Sequence, residues 1–475
     1  MTEAAARTEA ADESTTGTAG IPDETADTEA ASLPVPRPAR AGRAETVRFA
    51  ATHTLPAFVR GAFQPRPRVV AAYAALGQQG WSAATLRAMR ARHRGAPVEV
   101  RGLSGPLLVL VDQADVRRFY ELPVRTLAMD PPDKYKGLSV FEPTGVVCSH
   151  GDIREERRRV NDEVLAAERP VHPSCQEFQA IIAEEAPALV QDSELAFPLL
   201  RRTSARIVRR MVLGDAAAGD EELDRWLLVL REEANWMGLR KGRAAAAGAL
   251  FRRAAARVEE YAAGAEPYTL AALARSHPAA SGPDAAALDA VGQAHHWLLA
   301  LDAVASIVAR TLLLLAAHPA EQDALRAEVD GGGAELPRLR ACVREALRLF
   351  PVVPDLVRVT RAETEWRGVH YPAGTAVLVP ALFHQRDPEH VPAAHQFVPG
   401  RWLRPGAAQD IRMAPFSHGG GRCPGEHLGV LTAAVLTAAV LRGHRVTGGR
   451  PALDPCRPLP GILSSAGIRL TLAQR

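Results

Sequence analysis

Three consecutive glycines running into a cysteine constrain this chain more than any other feature. The run is Phe416-Ser-His-Gly-Gly-Gly-Arg-Cys-Pro-Gly425, and the apolar stretch 426–442 after it is predicted as a helix. Adjacent glycines pack nothing; they let backbone approach closely and take conformations that other residues avoid. A cysteine at the end of such a loop, just before a helix, sits where N–H groups and the helix dipole favour a thiolate. Pro424 suits the first turn of that helix, and Arg422 adds positive charge beside it. A thiolate held this way is a nucleophile or a metal ligand; a buried structural cysteine beside a glycine turn is the plain alternative. A nucleophile needs an oriented base, and nothing in the sequence orients His418, five residues earlier.

The rest of the chain narrows the choice. Its five cysteines, Cys148, Cys175, Cys342, Cys423 and Cys456, are scattered and form no C-x-x-C pair. That argues against a disulfide framework or a structural zinc site and fits a reducing, cytoplasmic setting. A net charge of +3 over 475 residues, without a basic stripe or aromatic platforms, argues against nucleic-acid binding. Lys134, Lys136 and Lys241 are the only three lysines, so arginine supplies nearly all the positive charge, which reads as genome composition. The most apolar stretch, 297–317, holds Asp302 and Arg310. Internal charges are costly in a bilayer, so this stretch is expected to be a buried helix and not a membrane span. No basic-then-apolar leader opens the chain.

Up to Glu29 the chain holds eight acids against one base, and Leu-Pro-Val-Pro-Arg-Pro (33–38) follows. Residues 1–45 are expected to be a disordered acidic, proline-containing tail, and 46–475 one large folded domain. Pro97–Val111 reads as a β-hairpin interrupted by Ser-Gly-Pro, and 366–379 as a second hairpin turning at Pro372-Ala-Gly374. Between 150 and 350, helical spacing of Leu, Val and Ile dominates. The fold class is mainly α with small β-sheets.

Phe416, Gly419, Cys423 and Gly425 match F-x-x-G-x-x-x-C-x-G, and on that loop the chain resembles the cytochrome P450 family. The resemblance implies the cytochrome P450 fold, haem b (iron protoporphyrin IX) as cofactor, and Cys423 as the axial thiolate ligand of its iron. Phe416 would shield the sulfur, and Gly425 would let the helix approach the porphyrin. The family places Arg or His two residues before the cysteine to pair with a haem propionate. Here that position is Gly421, with Arg422 one residue later.

Other segments carry the resemblance over 50–475. Glu345-Ala-Leu-Arg348 matches the family's E-x-x-R, and Phe397-Val-Pro-Gly-Arg401-Trp resembles F-x-P-E-R-[FW], with Gly400 at the acidic place. Spacing i, i+3 puts Glu345 and Arg348 on one helix face; the family joins this pair to the later arginine, here Arg401, as a buried triad. Arg358 matches an arginine that reaches a propionate. Arg154-Glu-Glu-Arg-Arg158 resembles W/H-x-x-x-R, which makes Arg158 a second propionate candidate, with Arg154 in the place of Trp or His.

The helix ending at His318-Pro319 resembles the family's oxygen-activating helix. Asp302 falls on the acid of A-G-x-[DE]-T, but the threonine is Ala303 and the glycine is Ala300. An acid among aliphatic residues is expensive unless it is hydrated or paired, so Asp302 is a candidate proton carrier, or else an ion-pair partner of another helix. An alanine cannot donate a hydrogen bond. Three readings follow: a substrate hydroxyl or a water supplies the donor; the enzyme uses peroxide or another oxidant, or couples phenols; or the protein binds haem without catalysis.

The resemblance further implies an oxidoreductase acting on a small apolar secondary-metabolite intermediate by hydroxylation, epoxidation or oxidative coupling. It would use O2 and two electrons from a soluble ferredoxin and its ferredoxin reductase. Arg157, Arg158, Arg159 and Arg412 would be either a basic docking face or ordinary solvated charge. The pocket is expected from 120–148, 226–238, 298–305, 352–357 and 461–465, with Trp236 and Met237 on its wall.

Overall fold

The computed structural model describes residues 38–102 and 105–475. Of the tail expected over 1–45, residues 1–37 lie outside the described residues, whereas 38–45 are already part of the fold. Ala39–Arg40 pairs in parallel with Val98–Arg101, and a helix begins at Arg43.

Helices form most of the molecule, and small sheets border it. One sheet has six strands in the order Ala39–Arg40, Val98–Arg101, Pro106–Val109, Ala376–Val379, Leu356–Thr360, Leu127–Ala128. The hairpin expected over Pro97–Val111 is present, with Val98 opposite Val109 and Arg101 opposite Pro106. The second hairpin is displaced. Thr364–Trp366 pairs with Val369–Tyr371, and the chain turns at Arg367 and Gly368, both at positive φ, the conformation a tight hairpin turn requires. Pro372–Gly374 instead hands the chain from that two-stranded ribbon to the six-stranded sheet, where Ala376–Val379 pairs with Leu356–Thr360.

The core is organised around the helix Ala294–Ala317. Leu312, Leu314 and Leu315 are inaccessible, and the helix packs on Phe197–Leu213, Pro337–Leu349 and Glu426–Leu441. By length and composition it could cross a membrane, but about two thirds of its apolar window is buried inside the protein. His318-Pro319 ends it, as the residue before a proline is pushed away from helical backbone. The Trp297 indole N–H donates to Asn161 Oδ1 at 2.7 Å, which fixes this helix against Gly151–Val164.

Candidate active site

The Glu345–Arg348–Arg401 group is closed and complete. Glu345 and Arg348 have no exposed side-chain surface, and the guanidinium holds both carboxylate oxygens, Nε to Oε2 at 2.9 Å and Nη2 to Oε1 at 2.8 Å. Arg401 Nε reaches Glu345 Oε1 at 3.2 Å, the Trp402 indole donates to Oε2 at 2.8 Å, and the Val398 N–H donates to Oε1 at 3.0 Å. The spare donors of Arg348 go to the carbonyls of Gln385, Ala394 and Gln396. A buried ion pair stabilises only when its remaining donors and acceptors are satisfied in this way. It clamps the helix Pro337–Leu349 to the segment that leads into the cysteine loop. Gly400 has open space around it, so the missing acid leaves no hole in the network.

The cysteine loop is held by backbone. The Cys423 N–H donates to the Phe416 carbonyl at 2.9 Å, and Arg422 N–H donates to Gly419 at 3.0 Å. Gly419 has φ +61°, and a Cβ there would drive into the Tyr120 carbonyl; only glycine fits. A Cβ on Gly425 would meet Leu165 and the Cys423 sulfur at ordinary contact distance. Cys423 keeps part of its surface accessible. Burial raises its thiol pKa, although the Gly425 N–H and the nearby Arg158 and Arg422 act the other way. His418 leans edge-on against Tyr120, ring centroids 5.4 Å apart, and among the described residues it has no hydrogen bond to Cys423.

The arginines divide into two groups. Arg158 holds Asp162 at 2.9 Å and donates to the Arg422 carbonyl at 2.7 Å. Arg422 holds Glu426 at 3.0 Å, and Glu426 is shared with Arg344 at 2.9 Å. Both are already paired. Arg358 and Arg154 are not. Arg358 is buried, donates Nη1 to the Phe119 carbonyl at 3.0 Å, and leaves Nη2 without a partner. Arg154 is buried too; its Nη2 reaches Met129 Sδ and the Gly420 carbonyl at 3.5 and 3.4 Å, and its Nε has no partner. Burial, together with Arg154, pushes Arg358 down to about 10. Among the described residues no carboxylate hydrogen-bonds either group. Each buried donor left unmade costs about 1–3 kcal/mol, so this corner, closed by Gly420 and Gly421, is built for an anion. Arg154 escaped the sequence reading because its position is normally Trp or His.

The helix Ala294–Ala317 shows an open strip. His296, Ala300, Ala303, Ser306 and Arg310 keep accessible surface while most of their neighbours are buried; their spacing is that of one helix face. Ala303 and Ala300 stand on it. Asp302 does not: it turns toward the helices Phe197–Leu213 and Glu221–Ala234, where Arg231 holds Oδ2 at 3.0 Å and Arg201 lies 3.8 Å from Oδ1. It shares a narrow cleft with Leu299, Phe141 and Leu223.

Two other expectations change. Arg157 is buried against Ser149 and the carbonyls of Ala287 and Leu288, Arg159 pairs with Glu156, and Arg412 pairs with Asp410. With Arg158 on Asp162, the four do not form a face of free cations. Trp236 is held between guanidiniums, Arg240 at 3.8 Å and Arg66 at 5.3 Å from its ring centroid, so cation–π contacts occupy its faces. Val352 and Val353 remain about half exposed. Elsewhere, Ser82, His53 and Asp355 form a chain of the residue types found in hydrolases, at 2.7 and 3.2 Å. The ring is used in the opposite sense, with Ser82 on Nδ1, and Ser82 is inaccessible; the chain ties the N-terminal helix to the loop before Leu356.

A mainly helical fold, a satisfied Glu–Arg–Arg clamp and a glycine-held cysteine are the features on which the chain resembles the haem-thiolate class. Residues 300–464 match the family model for Cytochrome P450. A cyclooctat-9-en-7-ol 5-monooxygenase of Streptomyces melanosporofaciens is 34% identical over 172 residues, 34% of this chain and 35% of that protein. The mitochondrial sterol 26-hydroxylase of Mus musculus is 29% identical over 208 residues, 39% of each. The matched region spans about a third of these relatives' length. The structure of retinoic acid bound cyanobacterial CYP120A1 superposes with a TM-score of 0.65 at 18% identity, covering 81% of this chain and 93% of that one. Over residues 300–464 the chain therefore resembles the cytochrome P450 family, and its fold is that of the superposed cytochrome P450 structure. The family's cofactor is haem, and the residues fit it: a partly exposed cysteine on a glycine loop, and two buried guanidiniums with unmet donors beside that loop.

Proposed function

We propose that this protein is a haem-thiolate monooxygenase that oxidises a small apolar secondary-metabolite intermediate with O2 and two external electrons. The observation that carries the reading is Cys423 on its glycine loop beside the unpaired Arg154 and Arg358. Haem bound through Cys423 supplies the O–O-cleaving oxidation chemistry. Cys423 Sγ is the iron ligand, and Phe416 and the Phe416 carbonyl that accepts from Cys423 N–H fix the sulfur. Arg154 and Arg358 take the propionates in place of Arg158 and Arg422. Glu345, Arg348 and Arg401 keep the segment before the loop in register.

Ala303, on the open strip, gives the reaction room but no hydrogen-bond donor, so a substrate hydroxyl or a bound water supplies that donor. Asp302 is the proposed proton carrier: Arg231 holds Oδ2 at 3.0 Å, and Oδ1, 3.8 Å from Arg201, is the atom that would exchange a proton. Two of the relatives, the cyclooctat-9-en-7-ol 5-monooxygenase and the cyclooctatin synthase of Streptomyces melanosporofaciens, support a secondary-metabolite substrate. A ferredoxin and its reductase are the proposed electron source, and the cytoplasm the proposed setting.

The alternative, a haem protein that uses peroxide or does no chemistry, is favoured by Ala303 alone. The test is turnover with a ferredoxin pair and with peroxide, against a panel of terpenoid and polyketide intermediates. Electron consumption that rises with a substrate and yields an oxygenated product supports the reading. Product with peroxide only, or electron consumption indifferent to every substrate, contradicts it.

A further inference from the structure

Between Ala303 and Ala317 the central helix carries a single charged residue, Arg310, and the proposed chemistry does not use it. Its Nη1 donates to the Phe350 carbonyl at 3.1 Å and its Nη2 to the Leu463 carbonyl at 3.0 Å, while Nε has no partner among the described residues. Burial, with no carboxylate to oppose it, lowers its pKa to about 10, so the guanidinium stays charged at neutral pH. A buried cation without a counter-charge is expensive. Leu or Met at this place would extend the apolar face of the helix without that cost. What the arginine adds is a planar fork that reaches two carbonyls at once.

Those carbonyls belong to different segments. Phe350 caps the helix Pro337–Leu349 and leads into 351–355; Leu463 lies in 451–464, which forms no helix or strand. Arg386 makes a parallel set of contacts. Its Nη1 donates to the Pro460 carbonyl at 2.6 Å and its Nη2 to that of Leu459 at 2.7 Å, and Nη1 approaches the Leu349 carbonyl at 3.5 Å. Both guanidinium carbons lie near the Phe350 ring, 6.0 and 5.8 Å from its centroid. A Cβ on Gly461 would come within 2.6 Å of Gln79 Cβ, so the loop also lies hard against the helix Gln78–Arg92. Of the two arginines, Arg310 is the one on the helix that carries Ala303. It stands seven residues beyond Ala303 on the same face, about 10 Å along the helix. At that distance it acts on a group beside Ala303 only through the backbone that it holds.

We propose that Arg310 is a positioning residue that fixes the spacing between 351–355 and 459–464 and so sets which molecules fit at that end of the pocket. This rests on the haem-thiolate reading, which makes 352–357 and 461–465 pocket walls. Walls held in place before a ligand arrives need no ordering when it binds. Loosening them weakens ligands that reach the walls and spares ligands that do not.

Haem-loaded wild type, Arg310→Met and Arg310→Lys are titrated spectroscopically with imidazole, which ligates iron without reaching the walls, and with two long azoles, econazole and ketoconazole. Amide hydrogen exchange is followed by mass spectrometry on the same preparations. For the long azole that wild type binds better, Arg310→Met weakens binding at least about tenfold. Imidazole affinity and haem content stay unchanged, and exchange in 351–355 and 459–464 rises at least about tenfold. Arg310→Lys keeps the charge but not the fork, shows the same pattern, and serves where Arg310→Met yields no folded holoprotein. Equal losses for imidazole and the long azole, as a general loosening gives, overturn the proposal. So does unchanged exchange in both segments, or faster exchange with long-azole affinity intact. A wild type without the thiolate-type carbon-monoxide band defeats the parent reading separately, whatever the titrations give.

Discussion

Arg358 stands in the space that a side chain at position 421 would need: a Cβ built on Gly421 collides with its Nη2. The family's usual basic residue two places before the cysteine is absent here, and a buried guanidinium from the strand Leu356–Thr360 fills its place. Gly421 is therefore a packing requirement of Arg358. Gly421→Ala is expected to destabilise the protein by about 1–3 kcal/mol through overpacking, read as a lower midpoint in urea. Arg358→Ala and Arg154→Ala are expected to fold and to lower the haem-to-protein ratio, each more than Arg158→Ala does.

The clamp around Glu345 predicts a larger effect. Arg348→Ala leaves a fully buried carboxylate with Arg401 as its one remaining cationic partner and three backbone carbonyls without donors. The expected cost is about 3–5 kcal/mol, enough to abolish soluble expression or shift thermal unfolding by many degrees. Gly400→Glu, in contrast, enters open space and leaves the melting temperature nearly unchanged.

Much of this was legible in residue order. The cysteine loop, the E-x-x-R pair and Arg401 are short-range patterns whose geometry follows from spacing, and the hairpin at Pro97–Val111 follows from strand alternation around a turn. The second hairpin was misplaced because Arg367-Gly368 and Pro372-Ala-Gly374 are both good turns, and only sheet pairing decides between them. Which arginines are free was not legible: Arg158 and Arg422 look like anion binders until Asp162 and Glu426, one helical turn away, are seen to hold them. The Glu142–His296 pair joins residues 154 positions apart, which no local pattern reports.

Asp302 and Ala303 are neighbours in sequence that face different sides of their helix. Asp302→Asn is expected to slow turnover per haem by about 10–100-fold, the usual reach of a lost proton carrier. It also strands Arg231, so thermal stability should fall together with rate. Because a substrate hydroxyl or a bound water supplies the donor, Ala303→Thr is expected to leave the fraction of electrons recovered in product nearly unchanged. A clear rise means that the donor is missing in the wild type.

Acid sensitivity has a predicted source in Asp387. Burial raises its pKa, but hydrogen bonds from Arg90 at 2.5 Å and His390 at 3.0 Å outweigh this and hold it below its ordinary value of 3.8. A carboxylate depressed in the folded state stabilises the fold at pH above its unfolded pKa, and this contribution is lost as pH falls through the folded value. Asp387→Asn should therefore flatten the stability profile below about pH 4 and lower stability at neutral pH by about 3 kcal/mol, since Arg90 loses its buried partner. Urea unfolding between pH 3 and 7 checks both.

The sulfur of Cys423 is the atom on which the account depends, and the carbon-monoxide difference spectrum of the reduced protein tests it most directly. Wild type is predicted to give the long-wavelength Soret band of thiolate ligation, and Cys423→Ser, refolded and supplied with haem equally, to lose it. A serine variant that keeps the same band would contradict the assignment.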